Sequence, residues 1–259
     1  MGHDSAPFRL VAWFGEMGLF AWRILRECLR GPYEGAEVLR QIYEAGWRSL
    51  PLITAAGFAV GAVMSMHTRA SLERFGAESL IPAGLALALF KETGPLVTGL
   101  LFSGRVGAGI GAELGAMRVT EQIDALETLA VDSFKYLVVT RVAACVLVMP
   151  LLTTIMNFTG IVGGYVAETA VSGMTFDLYF NSAFSNLEFT DYIPGTAKTA
   201  VFGFIIGTIA CHLGYNTKGG TAGVGQAATL SVVTASIALI VSNVVIVKFI
   251  FFLFPGAAG

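Results

Sequence analysis

The chain of 259 residues is 55% hydrophobic and only 13% charged, with a formal net charge of −2 at pH 7 and a mean hydropathy of +0.72. Soluble domains carry about 25% charged residues, so the composition excludes a soluble globular fold, and the near-neutral balance offers nothing to nucleic acid. Cys28, Cys145 and Cys211 lie far apart in or beside apolar segments, which excludes a disulfide framework and leaves them as packing residues. His3, His67 and His212 are isolated, so no metal site and no Ser/His/Asp hydrolase is expected. The opening Met1-Gly2-His3-Asp4 lacks the basic flank and apolar run of a secretory signal.

The first element is an amphipathic helix. Val11, Phe14, Gly18, Trp22, Leu25 and Leu29 recur at steps of three and four, and Arg9, Glu16, Arg23, Glu27 and Arg30 fall on another face. Trp13, Phe20 and Trp22 suit a headgroup layer; a helix packed on a soluble partner is the other reading. Gly31-Pro32 breaks this helix, and a shorter helical stretch from Glu34 to Trp47 leads onward. Residues 1–49 thus form an N-terminal interfacial region, and residues 50–259 a single membrane domain.

A membrane-crossing helix needs about 20 mostly apolar residues. Leu50 to His67, Leu80 to Gly104, Tyr136 to Val166, Pro194 to Leu213 and Ala228 to Phe254 meet that test. The fold class is therefore an all-α integral membrane protein of about five transmembrane helices. The third run is long enough to put Arg141 at an interface. Gly57 with Gly61, Gly160 with Gly164 and Gly203 with Gly207 have the small-xxx-small spacing of close helix contacts. Lys and Arg set the orientation. Arg9, Arg23, Arg26, Arg30, Arg40, Arg48, Arg105, Arg118, Lys135, Arg141 and Lys218 fall on one side, and Arg69, Arg74 and Lys198 on the other beside Glu168, Asp177, Glu188 and Asp191. The N-terminus is expected in the cytoplasm and the C-terminus outside.

The second run is interrupted by Lys91-Glu92-Thr93-Gly94-Pro95. A single charge inside a bilayer costs about 2.5–3.5 kcal/mol on insertion scales. Adjacent helical residues point about 100° apart, so Lys91 and Glu92 do not simply neutralise each other. Pro95 removes the donor that would bond the Lys91 carbonyl, and Gly94 adds freedom, which predicts a kinked, polar spot. It is either part of a substrate path formed by Lys91, Glu92, Gly94 and Pro95 or a structural ion-pair site with partners elsewhere.

From Glu113 to Asp132 the pattern is again helical. Val119, Ile123, Leu126 and Ala130 form an apolar stripe, and Arg118, Glu121, Asp124, Thr128 and Asp132 lie opposite. This is a solvated loop helix or a docking piece for a motor protein. The glycine-rich runs Gly104 to Gly111 and Gly219 to Gly225 lack the strand or Gly-Lys-Ser/Thr that a nucleotide loop requires. If ATP drives this protein, another chain must bind it.

Lys91-Glu92-Thr93-Gly94-Pro95, Ser103-Gly104-Arg105-Val106-Gly107, the unbroken Ala112 to Leu126 and Val131-Asp132 resemble the MlaE family of ABC permeases. The similarity is strongest over residues 90–141 and extends from about 35 to 255. The resemblance implies a homodimeric permease with two cytoplasmic ABC ATPase subunits that hold ATP and Mg, a STAS-domain protein and an outward-facing MCE-domain hexamer. It further implies phospholipid transport between the inner and outer membranes, no catalytic residue or metal in this chain, and a coupling segment over about 113–130 with Glu113, Arg118, Glu121, Asp124 and Glu127 facing the ATPase. Glu92 would lie by the lipid cavity. Lys91 stands where the family usually has Arg, keeping charge but losing bidentate phosphate recognition. Ser133 and Thr140 replace prolines common in the family, which predicts a straighter entry into the third span. A gradient-driven carrier titrating Glu92, and a scaffold that only anchors an MCE ring, are the other two readings.

Overall fold

Five helical stretches long and apolar enough to cross a membrane run over Gly35–Phe75, Glu78–Val119, Phe134–Ser172, Asp191–Tyr215 and Gly220–Ile250. They are seen in a computed structural model that describes residues 6–30, 34–185 and 187–253, with no strand among them. The helices are α1 (Ala6–Cys28), α2 (Gly35–Gly46), α3 (Leu50–Leu72), α4 (Ile81–Ala88), α5 (Gly94–Phe102), α6 (Ala108–Val119), α7 (Gln122–Thr128), α8 (Thr140–Ser172), α9 (Phe176–Ser185), α10 (Phe189–Tyr215) and α11 (Gly220–Leu253). The Gly31-Pro32 break and Phe254 lie outside the described residues.

Helix α8 is the axis of the bundle because glycines let its neighbours reach its backbone. A Cβ added to Gly61 of α3 would strike the Gly160 carbonyl, and one on Gly163 would strike the carbonyl of Phe58. On another face, a Cβ on Gly203 of α10 would strike the Cys145 carbonyl, and Gly207 abuts Val142. All three small-xxx-small pairs therefore serve as helix contacts. The core between α8 and α10 is filled by Val142, Val148, Phe202 and Ile206, with Cys145 and Cys211 buried among them. Cys28 departs from the packing role expected of it: it is exposed on α1.

Helices α4, α5 and α6 form one continuous helical rod interrupted by π-helical turns at Leu89–Thr93 and Ser103–Gly107. A third π-helical segment, Phe134–Val139, leads into α8. The 42 residues of Glu78–Val119 rise about 63 Å at ~1.5 Å per residue, twice the ~30 Å of a hydrocarbon core, so the rod is longer than a single crossing needs.

Helix α1 lies against the bundle through Met17, Phe20 and Ile24, with the Phe20 ring edge-on to Phe134 at 5.2 Å and to His212 at 4.9 Å and the Arg23 guanidinium 3.9 Å above Phe134. Trp22, Leu25 and Leu29 of the expected apolar stripe point outward; the side chains of Val11 and Phe14 lie outside the described residues. Helix α2 runs through a 3-10 turn into α3 and buries Glu37, Gln41, Ala45 and Ser49, one residue per turn, so residues 35–49 pack as part of the bundle.

The stretch expected as one helix from Glu113 to Asp132 is two. Helix α6 ends at Val119, and Glu121, at φ 58°, turns the chain into α7. Of the expected apolar stripe, Ile123 is buried, but Ala130 is exposed at φ 57°. At the opposite end, Arg69 of α3 pairs with Glu168 of α8 and, at 3.4 Å, with Glu78, and α9 packs Tyr179 and Ala183 onto Leu85 and Ile161.

Candidate functional site

The interruption in the second span is a π-helical turn whose charges pair with α10 and whose carboxylate also bonds α11. Widening the turn at Leu89–Thr93 lets the Gly94 amide bond the Leu89 carbonyl, and Pro95 supplies no amide to the Lys91 carbonyl. The Lys198 ammonium takes that role, donating to the Lys91 carbonyl at 2.8 Å. It also pairs with the Glu92 carboxylate at 2.9 Å. Gly195, one turn before Lys198, permits this approach, because a Cβ there would strike the Phe90 carbonyl.

Two further groups complete the cluster. The Asn243 amide of α11 donates to the second Glu92 oxygen at 3.0 Å, and the Lys91 ammonium pairs with Asp191 at 3.0 Å. Asp191 also accepts the Glu188 amide in a reciprocal cap of α10. Burial across the cluster is unequal: Lys198 is 2% exposed, Asp191 11%, Lys91 33% and Glu92 45%. The carboxylate at the centre is therefore the most open group. Beside it, Gly94 faces the Asn157 side chain of α8, and both amide atoms of Asn157 are buried without a hydrogen-bond partner, as are Thr98 Oγ1 and Asn243 Oδ1. Buried polar atoms left unpaired are uncommon and mark sites of function or strain. Lys91, Glu92, Gly94 and Pro95 thus sit in one place, as their spacing in sequence predicts.

Lys198, Asp191, Asn243 and Asn157 were not among the expected site residues. Loop counting put Lys198 on the outer side of the membrane, yet it is buried inside α10. A lysine and an asparagine inside otherwise apolar fourth and fifth spans were the signal available for two of them.

The second candidate surface is α7. Glu121, Gln122, Asp124 and Thr128 are exposed there, and Arg118 bridges the turn to Asp124 at 2.6 Å. Ile123, fully buried, pins α7 to the bundle. Glu127 accepts the Ser133 hydroxyl at 2.7 Å, and Ser133 lies 2.9 Å from the Tyr215 hydroxyl of α10. Glu113 is apart from this surface. It sits on α6 and pairs at 2.7 Å with Arg141, which is 1% exposed.

Removing Glu113 strands that buried guanidinium. Glu113→Ala is expected to destabilise the chain by about 2 kcal/mol, below the ~3–5 kcal/mol of a fully buried pair because Glu113 is half exposed. Glu113→Gln, which keeps an acceptor, should lose less. Thermal unfolding of the detergent-solubilised chain measures both.

Among the described residues no three His, Cys, Asp or Glu converge as metal ligands. The profile of the family described as Permease MlaE matches residues 38–249. The chain is 40% identical over 243 residues to a probable ABC transporter permease protein of Rickettsia bellii, covering 94% of each. It is 37% identical over 236 residues to a probable ABC transporter permease protein of Synechocystis, covering 91% of this chain and 88% of that one. It is also 31% identical over 233 residues to trigalactosyldiacylglycerol 1, chloroplastic, of Arabidopsis thaliana, covering 90% of this chain and 67% of that one. With the profile spanning most of the chain and identity extending nearly end to end, this protein belongs to the MlaE permease family, the membrane permease subunits of ABC transporters.

Proposed function

We propose that two copies of this chain form the membrane channel of an ABC system that moves phospholipid between the inner and outer membranes of a bacterium and so maintains outer-membrane lipid asymmetry. The chain spans the inner membrane with its N-terminus and α7 in the cytoplasm and its C-terminus in the periplasm. A separate ABC ATPase holds ATP and Mg, a STAS-domain protein accompanies it, and an MCE-domain hexamer receives or delivers lipid on the periplasmic side. The Arabidopsis relative is named for a glycerolipid, which favours a lipid over an ion as cargo.

One observation carries the reading: in an apolar span, Glu92 is held by Lys198 and Asn243 from two other spans yet remains 45% exposed. A lipid headgroup binds at Lys91 and Glu92, where cation and anion are both within reach. An apolar cavity of about 300 Å³ beside Phe90, lined by Phe158, Phe184 and Tyr192 among others, takes acyl chain. Arg118, Glu121 and Asp124 contact the ATPase. Movement of α7 passes to α8 and α10 through Ile123 and the Glu127, Ser133 and Tyr215 bonds, and Glu113 links α6 to α8 through Arg141.

The test is ATP-driven lipid transfer in proteoliposomes holding the chain with its ATPase and partner subunits. Glu92→Gln should slow transfer about tenfold or more, equivalent to ~1.4 kcal/mol, with ATPase binding retained. Unchanged transfer, or transfer by the chain alone in response to an ion gradient, would overturn the reading.

A further inference from the structure

At the α7 end, far along the rod from Glu92, helices α2, α6 and α8 enclose a cavity of about 250 Å³ lined by Arg48, Arg105 and Arg141 together with Glu44 and Glu113. Three guanidinium groups against two carboxylates leave one net positive charge. Arg141 is 1% exposed; its terminal nitrogens bond Glu113 and the Leu137 carbonyl at 2.7 and 2.9 Å, but its Nε is buried without a partner. Arg105 donates to the Ser49 hydroxyl, and neither Arg105 nor Arg48 makes an ion pair with a described carboxylate. One buried donor without an acceptor, the Arg141 Nε, and two arginines without an ion pair beside a net positive cavity describe an anion site.

The depth of the site names the anion. Arg48 and Arg69 bracket 20 residues of helix, about the thickness of a hydrocarbon core, so Arg48 stands at a membrane boundary. Tyr43 and Trp47, stacked at 6.4 Å, are 58% and 62% exposed beside it, as aromatic residues are at the headgroup level. Planar guanidinium groups match phosphate oxygens.

We propose that this cavity binds a phosphate group, carried by an anionic lipid headgroup of the leaflet at the α7 end or present as free phosphate. The site holds α2, α6 and α8 together at that boundary and is separate from the Glu92 cluster. The proposal uses the membrane assignment but not the transport pathway, so Glu92→Gln should leave it intact.

The experiment is native mass spectrometry of the full chain after detergent exchange in phosphatidylglycerol, with phosphatidylcholine as reference, for wild type, Arg48→Ala and Arg105→Gln. Arg48 is exposed and without an ion pair, so its replacement is not expected to impair folding. Wild type should retain one phosphatidylglycerol per chain more tightly than phosphatidylcholine, and each variant should weaken that retention about tenfold, as loss of one charge-assisted hydrogen bond does. Retention that excess inorganic phosphate does not displace assigns the site to a headgroup; displacement with a bound phosphate in its place assigns it to the free ion. Equal retention of phosphatidylglycerol by wild type and both variants would overturn the proposal.

Discussion

Gly61→Leu should abolish accumulation of folded protein. The hydrogen at this position is the only substituent that fits between α3 and the Gly160 carbonyl, since even a Cβ collides with that backbone. Overpacking a core with side chains that can move costs about 1–3 kcal/mol. A main-chain obstacle cannot swing aside, so the effect belongs above that range. Separating α3 from α8 would also undo the contact of Gly163 with Phe58, three residues away on the same seam. Fluorescence-detected size-exclusion chromatography of the full chain provides the measurement. Gly84→Leu is the control: it is exposed, with nothing within 4 Å of an added Cβ, and should elute as wild type. A monodisperse, wild-type-like Gly61→Leu peak would show that the seam is looser than the structure makes it.

The Glu92 and Lys198 pair should give asymmetric losses. Glu92→Leu leaves an ammonium that is 2% exposed with only the Lys91 carbonyl, a stranded charge whose removal of partner costs toward ~3 kcal/mol, the low end of the range for buried pairs. Lys198→Met leaves a carboxylate that is 45% exposed and still holds the Asn243 amide, which is expected to cost about 1–2 kcal/mol less. The double variant, with neither charge left, should recover most of the stability that the Glu92 single variant loses. Unfolding of the four proteins in one detergent closes the cycle. Additive losses would mean that the two groups do not depend on each other. A stable double variant then isolates the role of the charges in transport from their role in folding.

The five spans were legible because twenty-residue apolar runs have few alternative fates, and the glycine pairs because close helix approach leaves a four-residue spacing. Helix α9 was not legible. Its ten residues are too short for a span, and its two buried positions, Tyr179 and Ala183, carry no more signal than a loop does. The break between α6 and α7 has neither Gly nor Pro to announce it; Glu121 adopts a positive φ because the surrounding helices turn the chain there. The Lys91 to Pro95 interruption was visible, but its partners lie 107 and 151 residues away in sequence. Counting charges by loop treated Lys198 as a topological marker. It is a helix residue whose reach is set by Gly195, a relation that only the packed bundle reveals.

The backbone contacts of α3 and α10 with α8 also say where this protein is able to bend. Where glycine meets carbonyl, no side chain lies between the helices to re-pack, so α3, α8 and α10 behave as one block at those contacts. Strain delivered to one edge of such a block travels through it undiminished and must be absorbed where hydrogen bonding is already irregular. The π-helical turns at Leu89–Thr93 and Ser103–Gly107 are such places, and the nine residues of α5 between them form a short spindle mounted on two compliant joints. One of those joints carries Glu92, and the other carries Arg105.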